Sequence, residues 1–143
     1  MTEHLQADHR RLDAIVADVR ALLEAGSFAE ASARFAEFAC GLARHIEIEE
    51  EILFPVFEQM TGMAHGPTVV MRHEHVEIRQ TLSEIAAALA RSDGAAASGS
   101  IDALEDVLSD HNLKEERVLY PMTDDAAGDD RAREDLVHRM QAY

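Results

Sequence analysis

HIEIEEEILFP at residues 45–55 and HNLKEERVLYP at residues 111–121 are one pattern written twice. Each places a His four residues before a Glu, then a second acidic residue, two apolar positions, an aromatic and a proline. On a helix, positions i and i+4 lie about 40° apart on one face, so each stretch aims an imidazole and a carboxylate the same way. Such a pair is half of a metal site.

The repeat reaches further. A shift of 66 residues carries His9 onto His75, His45 onto His111, Glu49 onto Glu115 and Pro55 onto Pro121, with apolar positions following: Leu12 onto Ile78, Val19 onto Ile85, Leu42 onto Leu108 and Leu53 onto Leu119. The chain reads as a duplicated helix pair. Apolar residues stepping by three and four predict a helix over residues 3–25, with Thr2 as cap and Gly26 past its end. A second is expected from Phe28 towards Met60, with a capping box of Ser27 and Glu30, and Pro55 should kink or restart it. Thr61 to Pro67 reads as a loop, and a third helix follows over residues 68–91. Residues 92–100 (SDGAAASGS) read as a flexible connection. The fourth helix is expected to start with Ser100 as its cap and run to about Tyr120, its seam passing through Val118 to Met122. After the acidic turn TDDAAGDD, residues 131–143 form a short amphipathic helix that packs through Leu136 and Met140. The fold class is all-α: one domain over residues 1–143, an up-down-up-down four-helix bundle with inward seams and that short C-terminal helix added.

Each seam carries polar groups at one level. His9, His45, His75 and His111, with Glu49 and Glu115, stand where apolar residues would continue the stripe. A lone His on such a stripe is ordinarily a core histidine bonded to the backbone. Six polar groups on one layer are a different matter, because two carboxylates in a dry core each cost several kcal/mol unless neutralised, and these seams hold no Lys or Arg. A pair of dications would neutralise them, two imidazoles on each ion and Glu49 and Glu115 shared. Nitrogen and carboxylate donors suit Fe, Mn, Zn or Cu. The ferritin-like carboxylate class is disfavoured, since it uses Glu-x-x-His on two helices and the sequence contains none.

The net charge of −15 argues against nucleic acid and anionic membranes as partners. No run approaches the roughly 20 apolar residues of a membrane span or resembles a leader. The single cysteine, Cys40, can form no internal disulfide, so a cytoplasmic protein is the expectation.

Taken in order, DHRRL at Asp8 to Leu12, HIEIEEEILFP, EHVEI at Glu74 to Ile78, and HNLKEERVLYP resemble the hemerythrin family, in its bacterial hemerythrin-like form named for recurring His-His-Glu motifs. The resemblance covers nearly the whole chain. It implies two iron ions in a non-haem, oxo- or hydroxo-bridged diiron centre, with His9, His45, Glu49, His75, His111 and Glu115 as ligands. It also implies binding or reduction of dioxygen, peroxide or nitric oxide at an open iron position. Two departures from the invertebrate oxygen carriers stand out. Met71 occupies the place of their fifth histidine, and Glu115 that of an Asp. His73 points about 200° away from His75 and is a poor substitute. One iron should therefore have one nitrogen ligand fewer, which argues against reversible oxygen carriage.

The rival readings are an oxygen- or iron-sensing or iron-homeostasis module without turnover, and a structural or partner-binding bundle. Tyr120 and Phe54 read as packing beneath the site, and Glu50, Glu51 and Glu116 as solvated faces. His4, His65 and His138 read as surface residues and Cys40 as a small apolar filler.

Overall fold

The computed structural model describes residues 1–143, and every regular element in it is helical. Helix α1 (Thr2–Glu24) turns at Gly26, whose φ of 73° suits a residue without a side chain, into α2 (Phe28–Ile48). A wide π-turn, π1 (Glu49–Leu53), carries the chain into α3 (Phe54–Thr61). Helix α4 (Pro67–Ala90) is followed by α5 (Gly94–Lys114), a second π-turn π2 (Glu115–Leu119), α6 (Tyr120–Ala127) and α7 (Asp130–Ala142). Helix α1 packs on α2 and α4 on α5, while α2 against α4 and α5 against α1 close the circuit.

Two apolar clusters fill the interior. One gathers Val16, Val19, Phe38, Ile85, Ile101 and Leu104 among others, and the second gathers Leu5, Leu53, Phe54, Phe57, Met71 and Leu119. The buried histidines fall in sequence between members of the two: His9 between Leu5 and Leu12, His45 between Leu42 and Ile48, His75 between Met71 and Ile78. A polar layer is thus clamped between two apolar ones. Helix α7 lays Leu136 and Met140 into the second cluster, as the sequence predicts.

Several expectations are corrected. Residues 92–100 are no flexible link, because α5 already begins at Gly94: Asp93 caps it by accepting the Ala96 N–H at 3.1 Å, and Ala97 is fully buried. A Cβ at Gly94 would stand 3.1 Å from the Phe28 ring, so the small residue is what lets the two helix starts approach. Ser100 lies inside the helix. Thr2 also lies inside a helix, its backbone N–H and hydroxyl both bonding the Asp124 carboxylate, at 3.0 and 2.6 Å. Ser27 does sit at the start of α2, but its side chain makes no capping bond. Cys40 is exposed rather than a filler.

Pro55 and Pro121 each lie in the first turn of the helix that follows, α3 and α6, so the helix restarts there, one of the two outcomes expected for Pro55. Proline lacks an N–H and crowds the carbonyl four residues back. Widening the preceding turn relieves this, with the Phe54 N–H bonded to the Glu49 carbonyl and the Tyr120 N–H to that of Glu115, each five residues back. The extra residue moves the seam along by one. Leu119 is buried where Val118 was expected, and Val118 is 47% exposed.

Candidate metal centre

His9 comes from α1, His45 from α2, His75 from α4 and His111 from α5, while Glu49 and Glu115 open the two π-turns. None of the six is more than 3% exposed. They form two overlapping groups, His9, His45, Glu49 and Glu115 on one side, and Glu49, His75, His111 and Glu115 on the other, each with ligand atoms within 4.8 Å of one another. Both glutamates belong to both groups. Inside them, Nε2 of His45 is 3.2 Å from Glu49 Oε1, His9 Nε2 is 3.3 Å from Glu115 Oε2, His75 Nε2 is 3.1 Å from Glu49 Oε2, and His111 Nε2 is 2.7 Å from Glu115 Oε1.

Each ring is anchored from outside by a carboxylate at 2.8 Å from its Nδ1: Asp8 on His45, Glu50 on His75, Glu74 on His111 and Glu116 on His9. Every anchor comes from a neighbouring helix, so the four bonds run around the circuit and return to α1. A carboxylate can only accept here, which places a proton on Nδ1 and turns Nε2 inward. Arg11 bonds Asp8 at 2.8 Å, Arg79 bonds Glu50 at 3.2 Å, and Lys114 bonds Glu74. The pairing with His45 and Arg11 outweighs burial and holds Asp8 down at about 2. Glu50 and Glu116 are therefore not the solvated groups that the sequence suggests. The signal was present, since the 66-residue shift also pairs Asp8 with Glu74 and Glu50 with Glu116.

The centre of the layer is crowded with acceptors. Glu49 Oε2 and Glu115 Oε1 are buried with no hydrogen-bond partner, and Nε2 of His75 lies 3.2 Å from Nε2 of His111, a gap with room for one proton at most. Burial disfavours charged imidazoles, but Glu49 and the other surrounding carboxylates outweigh it and hold His45 up at about 10 and His75 up at about 9. Burial and mutual repulsion raise the two glutamates, and the histidines override both, leaving Glu49 below its ordinary range and Glu115 well below it. The layer thus demands positive charge. Protons meet that demand only in part, and two cations, each facing two nitrogens and two carboxylates, fit the donor set.

Tyr120 is the residue that sequence reasoning placed wrongly. In an α-helix it would stand roughly 140° round from Glu115. The π-turn brings it above Glu115 instead, and its hydroxyl reaches Glu115 Oε2 at 2.8 Å and Glu49 Oε1. Burial and the two carboxylates keep that hydroxyl well above its ordinary pKa. Phe54, its counterpart in the repeat, stacks on His75 with centroids 5.6 Å apart and planes 13° from parallel. Met71 is buried in the apolar cluster that holds Phe54. His65, His73 and His138 are exposed and His4 is half-buried, all outside the layer. A cavity of about 530 Å³, lined by His9, Asp13, Asn112 and Glu116 among others, opens beside the first group.

No helix is long and apolar enough to cross a membrane. A family model described as Hemerythrin HHE cation binding domain matches residues 1–123. Comparison with curated proteins and with solved structures found no match.

Proposed function

We propose that this chain, which belongs to the hemerythrin HHE cation-binding domain family, is an up-down-up-down four-helix bundle holding a dinuclear iron centre. His9 and His45 would hold one ion and His75 and His111 the other, with Glu49 and Glu115 shared between them. The observation that carries the reading is the pair of orphaned buried carboxylate oxygens facing inward-turned imidazole nitrogens. When bound, the iron pair supplies open coordination positions and electrons for a small ligand such as dioxygen, peroxide or nitric oxide.

The protein's own part is positioning and exclusion. Asp8, Glu50, Glu74 and Glu116 fix the ring orientations from outside, and the apolar clusters above and below keep bulk water from the layer. The cavity beside His9 gives a small ligand its way in. A His in place of Met71 would add a nitrogen one turn before His75, so its absence favours an exchangeable position on that side and turnover over storage. The test is metal analysis of protein purified from iron-replete cells. Two metal ions per chain, mainly iron, is the expected result, whereas one zinc or no metal after reconstitution overturns the reading and leaves a structural bundle.

A further inference from the structure

We propose that Tyr120 is itself a metal ligand, a phenolate belonging to the ion held by His9 and His45 and not to the other. This rests on the dinuclear reading above and adds a donor to it. The Tyr120 oxygen contacts one atom of each member of the first group: Glu49 Oε1, Glu115 Oε2 at 2.8 Å, His9 Nε2 at 3.2 Å and His45 Nε2 at 3.3 Å. It has no contact of this kind with His75 or His111.

A phenol has one proton, and here three acceptors compete for it: the Glu49 and Glu115 oxygens and the Nε2 of His9, whose Nδ1 already donates outward to Glu116. That proton can serve one of the three. The remaining contacts set oxygen lone pairs against nitrogen or oxygen lone pairs in a buried site, which a cation at their centre would reverse. The spacing agrees. Metal–nitrogen and metal–oxygen bonds of about 2.1 Å set neighbouring donors at right angles about 3 Å apart. The separations of 2.8, 3.2 and 3.3 Å from Oη to Glu115, His9 and His45 lie close to that value, as do the 3.2 and 3.3 Å edges from His45 to Glu49 and from His9 to Glu115. Oη thus stands as an apex over the four donors. On loading, the O–H bond breaks, an oxygen–metal bond forms, and the proton leaves to solvent, with no change of oxidation state.

The second group has no such donor, because the repeat puts Phe54 there. The two ions would then differ in ligand number and charge within one duplicated frame.

The experiment loads the full chain with ferric iron and reads metal content and the visible spectrum together. A phenolate-to-iron charge-transfer band is expected in wild type and in Tyr143→Phe, the other tyrosine, with the band lost in Tyr120→Phe at unchanged or nearly unchanged iron content. Full loading with no such band, or a band that survives Tyr120→Phe, overturns the ligand role and leaves the dinuclear reading standing. Failure of wild type to take up metal overturns both.

Discussion

The half of the polar layer facing α1 and the half facing α4 are built from the same residues at a fixed shift, yet their surroundings differ. The first half has the Tyr120 hydroxyl in contact with all four of its donors and a cavity at its flank. The second has a flat Phe54 ring against His75, with Met71 buried in the adjoining apolar cluster. Its outer carboxylates, Glu50 and Glu74, are each held by a cation, Arg79 and Lys114. In the first half Asp8 is paired with Arg11, but the only basic group bonded to Glu116 is His9. The repeat thus gives two His/Glu frames of one design, and single side chains set them apart. One half meets a phenol oxygen where the other meets a phenyl ring.

The largest effects should ignore the comparison. Glu49→Ala and Glu115→Ala each remove a carboxylate common to both groups, so both ions should be lost on metal analysis. Retention of one ion in either variant would mean that the halves share less than their geometry says.

Next come the variants that split the halves. His9→Ala and His75→Ala should each lower metal content towards one ion per chain. If Tyr120 is a ligand, the first half tolerates loss of a histidine better. His9→Ala should then keep more metal than His75→Ala.

Stripped of metal, the protein should depend on pH through the same histidines. His45 and His75 ionise at about 10 and about 9 when folded, against an ordinary 6.5. A raised pKa means that the folded state holds its proton more tightly than the unfolded chain. The stabilisation is therefore complete below about 6.5 and disappears as pH rises to about 10. The unfolding free energy of the metal-free protein, from denaturant titrations, should fall across that window, at roughly 1.4 kcal/mol per pK unit. A flat profile would show that the metal-free layer does not hold those protons.

Among the outer carboxylates, Glu116→Gln and Glu50→Gln should weaken metal binding by roughly 10- to 100-fold, as removal of a group behind a metal-bound histidine ordinarily does. Each should act mainly on its own half. The smallest effect concerns the hairpins rather than the layer. Asp93→Ala should cost about 1 kcal/mol of stability because it removes a formed cap, while Ser27→Ala, whose side chain makes no capping bond, should fall well below that in thermal melts.

The helical class, the duplicated pair and the six inward-facing groups were all legible in the sequence. A strict periodicity reports which face of a helix is buried, and a polar residue on that face announces itself. The outer carboxylates were half-legible: the shift pairs Asp8 with Glu74 and Glu50 with Glu116, but each serves a histidine on a different helix, and no local pattern names that partner. The start of α5 was misread because Ser and Gly suggested a linker, whereas Asp93 and the burial of Ala97 against the core settle it as helix. Tyr120 was beyond sequence reasoning altogether. Its direction depends on one extra residue in the turn before Pro121, which the apolar periodicity does not report. Local spacing sets which residues can face inward, but only packing fixes the hydrogen-bond frame that aims them.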